Sequence, residues 1–176
     1  MASFLLPLLA ALLGIGVLPP PSCPIEYETK IVTGNSLEGI FNDGEKVQAM
    51  FGYYACHPIQ RGDIIIYDAP GKQHSFIKII HAVPDDSFAL EQTKSGDYSI
   101  RVNGRILKTS TNQPYHLTAQ KSRLLAGYAD YYENRIPQYS YLILGNLPGG
   151  SIDSTQFGLI KAERIIARVM RRTGTK

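Results

Sequence analysis

Two short runs constrain this chain most. Asp63–Tyr67 reads DIIIY behind Arg61-Gly62, and Phe76–His81 reads FIKIIH. Continuous apolar runs of this length, rich in β-branched residues and bounded by turn residues, mark strands buried on both faces. Around them lie further strand-like segments: Tyr27–Thr33, Lys46–Phe51 after the turn Asn42-Asp43-Gly44, Tyr139–Leu144 and Ile165–Met170. Ser99–Val102 and Arg105–Leu107 flank Asn103-Gly104, the strongest short hairpin signal in the chain. One segment, Thr118–Tyr132, reads as a helix ending before Pro137, and Gly145–Gly158 reads as a loop. With 16 Gly, 11 Pro and 11 Tyr but no Trp, the composition favours strands and turns. The expected body is mainly β, an antiparallel sheet with one short helix and an inserted subdomain around 90–138.

The N-terminus has a different character. No charged side chain precedes Glu26, and Phe4–Leu18 is an apolar run that falls short of the roughly 20 residues of a full span. A membrane anchor, a cleaved export signal and a buried soluble helix all fit such a run. The signal reading lacks a Lys or Arg near the start, and Pro19-Pro20-Pro21 stands where a small-x-small cleavage site would fall. The expectation is therefore an N-terminal apolar membrane helix and Pro-rich spacer over 1–24, then a catalytic domain over 25–176. Too few Lys and Arg flank the run for charge to orient it.

A length of 176 residues suits one domain plus an appendage. The net charge of +3, without a long basic run, gives no ground for a nucleic-acid partner. The absence of CxxC and HExxH removes the common zinc signatures, and no metal or other cofactor is expected. Cys23 and Cys56 could pair outside the cytosol, but sequence cannot place them within reach. The basic C-terminus (Arg164, Arg168, Arg171, Arg172 and Lys176) fits a solvated face or a contact with anionic lipid.

Three segments could carry chemistry. Lys78 sits within FIKIIH, where Phe76 and Ile80 share its face and Ile77 and Ile79 occupy the other. Burial would lower its pKa and make its amine a base near neutral pH; an edge-strand lysine snorkelling to water is the plainer alternative. Ser36 lies in Thr33-Gly34-Asn35-Ser36-Leu37-Glu38-Gly39, where a turn could present its hydroxyl beside free backbone N–H groups. An ordinary turn serine is the plainer reading there too. The third segment, Gly145 to Gly158, carries Ser151, Asp153 and Ser154, residues common in turns that could also orient an amine. Nothing in the spacing of His57, His74, His81 and His116 selects one of them as a base.

In order along the chain, these segments resemble the boxes of type I signal peptidases, the serine–lysine peptidases that release signal peptides at the membrane. Thr33-Gly34-Asn35-Ser36-Leu37-Glu38-Gly39-Ile40-Phe41 is similar to the nucleophile box Ser-Gly-x-Ser-Met-x-Pro-Thr-Leu. Arg61-Gly62-Asp63-Ile64-Ile65 matches Arg-Gly-Asp-Ile-Val, and Lys78 to Asp86 follows the base box loosely. Gly145 to Gly158 keeps Ser151, Asp153 and Ser154 of the late box, and Asn103-Gly104 fits the family's strand pair. Leu37, Gly39, Ile79, Asn146 and Thr155 stand where the family has Met, Pro, Arg, Asp and Arg.

The resemblance implies a membrane-anchored serine endopeptidase, with Ser36 as nucleophile, Lys78 as general base and the Ser36 N–H in the oxyanion hole. Gly34 stands where many relatives carry a second hydroxyl donor, with Asn35 as a substitute. Ser151 and Asp153 would hold the Lys78 amine. The implied partners are preprotein signal peptides and membrane lipid, and the implied form is a single-pass monomer with its catalytic domain on the extracytoplasmic side. Two other readings remain: a non-catalytic, membrane-tethered β-domain that binds peptides or proteins, and a pilin-processing peptidase of conjugation systems.

Overall fold

The computed structural model describes residues 23–69, 71–72 and 74–172. The strands in chain order are β1 (Glu26–Ile31), β2 (Lys46–Phe51), β3 (Ile64–Asp68), β4 (Ser75–Ala82), β5 (Phe88–Gln92), β6 (Tyr98–Val102), β7 (Arg105–Ile106) and β8 (His116–Leu117). Helix α1 (Ala119–Tyr131), β9 (Ser140–Leu144), the one-turn α2 (Ser154–Phe157), β10 (Ile160–Lys161) and β11 (Ile165–Arg171) complete the body. The fold is mainly antiparallel β. The expected membrane helix lies among residues 1–22, outside the described residues. Among those described, no helix is long and apolar enough to cross a membrane.

The larger sheet has the order β1-β2-β11-β3-β4-β9-β10. Its centre is built from the two isoleucine-rich runs: β3 pairs antiparallel with β4, placing Ile65 opposite Lys78 and Ile66 opposite Ile77. Alternation sends their side chains into two cores. Ile66 and Ile79 pack with Val32, Leu37 and Phe41, while Ile65, Tyr67 and Ile80 pack with Tyr141 and Ile143. Lys78 falls on the Ile65 face by this register. Strand β9 meets β4 only from Ile79 to Ala82. Ser75–Lys78 therefore has no strand on its outer side among the described residues.

The smaller sheet joins β5 to β6, and β6 to both β7 and β8. It lies in the chain between β4 and β9. The Asn103-Gly104 turn has positive φ at both residues, 49° and 75°, as a tight hairpin turn requires. Thr118, expected as the first helical residue, is instead the N-cap of α1 and accepts the Lys121 N–H on its side chain. Leu125 and Ala129 of α1 pack with Phe88, Ile100, Tyr115 and Leu117 in a third core, which also takes Leu142 and Leu144 of β9.

Two expectations are corrected here. The segment Gly145–Gly158 is not all loop, because Asp153 caps a helical turn over Ser154–Phe157. Strands at Phe88–Gln92, His116–Leu117 and Ile160–Lys161 carry too little periodicity to stand out in sequence; each is fixed by pairing with a neighbour, β6 for the first two and β9 for the third.

Candidate active site

The turn after β1 carries Ser36, and β4 carries Lys78. The Lys78 side chain is nearly enclosed, at 2% exposure. Its Nζ donates to Ser36 Oγ at 2.8 Å and to the Ile77 carbonyl at 2.8 Å. Burial lowers the Lys78 pKa from 10.5 to about 8, with the Asp153 carboxylate pulling weakly the other way. A neutral amine held against a hydroxyl can accept its proton.

Asp153 is fully buried. Its Oδ2 accepts from the Gly145 N–H, the Ser151 N–H and the Ser151 hydroxyl. Its Oδ1 accepts from the Thr155 N–H and hydroxyl. Five donors hold this carboxylate in place. Ser151 and Asp153 were expected to grip the amine itself. Instead the amine bonds Ser36 and Ile77, and Ser151 turns its hydroxyl to Asp153, which collects the local donors two residues away. Thr155, standing where the family has Arg, supplies a hydroxyl to the carboxylate in place of a cation.

The Ser36 N–H makes no hydrogen bond among the described residues, which leaves it free as a donor. The Gly34 N–H is already committed to Asp43 Oδ1 at 2.8 Å. Asn35 is exposed and lines the same groove as Ser36, Lys78 and Ser151. None of the four histidines reaches Ser36. His81 Nε2 lies 3.3 Å from Tyr115 Oη, and burial lowers its pKa to about 4; His57 stacks on Tyr53 and contacts its carbonyl, while His74 and His116 are exposed.

Asn146, marked in the sequence only as a departure from the family pattern, clamps the serine turn. Its N–H donates to the Ser36 carbonyl at 2.6 Å. Its side chain donates to the Glu38 carbonyl and Ser110 Oγ, each at 2.6 Å, and accepts the Ser110 N–H at 2.8 Å. Gly39 has φ +86°, and a Cβ there would lie 3.1 Å from Ser110 Oγ; proline, with φ near −65°, cannot occupy this turn. Gly145 is equally constrained, since a Cβ would come within 2.6 Å of both Ser151 Oγ and the Ser36 carbonyl. The departure of Asn146 from the family pattern was the available signal, because an amide offers donors and an acceptor where an ionised Asp only accepts.

Two grooves meet at Ser36 and Lys78. The first, about 450 Å³, runs from the end of β1 to the start of β4 over Phe51, Ile66 and Ile166. The second, about 380 Å³, runs along Leu147, Gly150 and Ile152. Cys23 and Cys56 form a disulfide that ties the chain ahead of β1 to the turn after β2.

A cleft of this kind, with a buried lysine on a serine hydroxyl, suits acyl transfer from a peptide. Comparison with known proteins agrees: the sequence profile of the family described as signal peptidase, peptidase S26, matches residues 22–173. The chain belongs to this family and is a serine endopeptidase. It is 26% identical over 149 residues to signal peptidase IB of Staphylococcus aureus, covering 78% of this chain and 73% of the relative. It is 24% identical over 143 residues to signal peptidase I of Bacillus licheniformis, covering 79% and 72% respectively. A crystal structure of a signal peptidase I from Enterococcus faecalis aligns with 65% of this chain and 98% of its own, at 21% identity and a TM-score of 0.45.

Proposed function

We propose that this protein cleaves signal peptides from exported preproteins with a Ser36–Lys78 dyad, at the outer face of a membrane to which residues 1–24 anchor it. The observation that carries the dyad is the 2.8 Å contact between the enclosed Lys78 amine and Ser36 Oγ. Family membership and the signal peptidase relatives support the substrate class. The uncharged apolar run ahead of Glu26 supports the anchor. The Cys23–Cys56 bond supports the extracytoplasmic side, since disulfides persist in oxidising compartments.

In this reading the substrate adds as a strand along Ser75–Lys78, the unpaired outer edge of β4. Neutral Lys78 takes the Ser36 proton as Oγ attacks the carbonyl carbon. The Ser36 N–H binds the resulting oxyanion, and Asn35 is placed to assist. The ammonium then protonates the leaving amine, giving an acyl-enzyme. Once neutral again, Lys78 takes a proton from the water that attacks the ester, and returns it to Ser36 as the acid leaves. Asp153 holds Ser151, Gly145 and Thr155 around the lysine without entering the chemistry.

Incubation with an exported preprotein tests this, with the cut site read by mass spectrometry. Wild type should release the signal peptide, while Ser36→Ala and Lys78→Ala should not. Near-normal turnover in either variant would remove the dyad.

A further inference from the structure

The two grooves that share Ser36 and Lys78 must take opposite sides of the scissile bond, because the reacting carbonyl sits at their junction. The first is walled by Ile31, Val32, Leu37, Phe51, Ile66 and Ile77, and its charges, Glu28 and Lys30, pair with each other. Such apolar walls suit the residues before the cut, which come from an apolar signal peptide. The second groove is left for the residues after it, the beginning of the released chain. Its walls carry Phe76, Leu147 and Ile152 together with backbone and polar groups from Gly150, Ser151 and Gln156, and a single exposed charge, Lys121. Lys121 makes no ion pair with a carboxylate among the described residues. Its Nζ is steadied by the Gly149 carbonyl at 2.6 Å, which leaves further N–H donors of the ammonium to point elsewhere. It also stands in the first turn of α1, so the positive end of a 13-residue helix borders the groove on the same side. The one carboxylate of the neighbouring loop, Asp153, is buried, has its oxygens taken by five donors and does not pair with Lys121.

We infer that the 147–156 groove binds the first residues of the released chain and that Lys121 makes it select an acidic side chain there. Lys121 is then a specificity residue supplied from outside the serine and lysine segments, by the helix that packs on the smaller sheet. The inference rests on the peptidase reading above. The interaction is an exposed charge pair, so the preference it creates is about a few-fold.

The test uses the full chain and matched peptides that share one signal-peptide cleavage sequence, with Glu or Lys at the first, second or third position after the cut. Wild type should favour Glu over Lys by about threefold in kcat/KM at one of these positions. Lys121→Ala should level the ratio and Lys121→Glu should invert it. The ratio within each variant is the readout, so an overall loss of stability does not mimic the effect. An unchanged ratio in Lys121→Glu, or equal losses on both peptides, would overturn the inference and leave Lys121 as a tie between α1 and Gly149. If wild type cleaves the peptides at equal rates, the groove proposal fails alone; if it cleaves none of them, the peptidase reading fails and takes the groove with it.

Discussion

Asn146 hands its backbone N–H to the carbonyl of Ser36 at 2.6 Å. The residue that follows the late-loop glycine thus holds the serine turn from behind, while its side chain bolts that turn to Ser110 in the connection between β7 and β8. Asn146→Ala keeps the first bond and loses the rest, leaving the Glu38 carbonyl and the Ser110 N–H without their partner. Turnover should fall about tenfold with little change in KM, because the serine is displaced while both grooves remain. Stability should fall by about 1–3 kcal/mol. Asn146→Asp should recover part of the loss, since it still accepts from Ser110 but cannot donate to Glu38. Steady-state kinetics and urea unfolding of the two variants check this.

The central frame of the sheet was legible in the sequence because DIIIY and FIKIIH admit little other than buried strands. The face shared by Lys78 and Ile80 followed from the two-residue period alone. What stayed hidden depends on contacts distant in sequence. Ser110 lies 36 residues from Asn146 and carries no local signature. Ser151 and Asp153 were visible as a pair, but the partner each would choose was not. Asp153 collects five donors because Gly145 and Thr155 converge on it in space. Cys23 and Cys56, 33 residues apart, were candidates whose separation only the fold could supply.

The pH dependence should follow Lys78. Its pKa of about 8 makes the amine mostly protonated at neutral pH and mostly neutral above that value. Cleavage should therefore rise with pH along one limb centred near 8, well below the range of free lysine. The Asp153 carboxylate favours the ammonium and so raises this pKa. Asp153→Asn should move the limb to lower pH while lowering the maximum rate, because its amide cannot accept all five donors. Profiles of kcat/KM for wild type and variant settle the point; a limb that stays in place would separate Asp153 from the lysine.

The same burial has a cost in stability. The unfolded chain holds a proton on Lys78 up to the free-lysine range, whereas the folded chain releases it near 8. Between these values the unfolded state binds more protons, so stability rises with pH through that window. Lys78→Met removes the ionisable group and fills its space. It should be inactive yet more stable than wild type at pH 7 by about 1–3 kcal/mol, with the difference shrinking as pH climbs from 8 toward 10. Thermal unfolding at several pH values reads this directly. A variant less stable than wild type at every pH would show that the bond to Ser36 outweighs the desolvation.

The disulfide bears on the first groove. Among the described residues strand β1 is an edge strand paired with β2 alone, and its end forms one groove wall. The Cys23–Cys56 bond fixes the chain three residues ahead of it. Gly52, beside that anchor, has φ +76° and leaves room for the Pro24 carbonyl, which a Cβ would approach to 2.5 Å. Replacing both cysteines by serine frees the start of β1 and relaxes a 33-residue loop closure, at an expected 2–4 kcal/mol. Lys78 and Ser36 keep their contact, because β4 and the Asn146 clamp do not depend on that bond. The variant should therefore show a higher KM for peptides with a normal kcat at saturating concentration, together with a lower melting temperature. A kcat that falls while KM holds would mean that the staple reaches the serine turn itself.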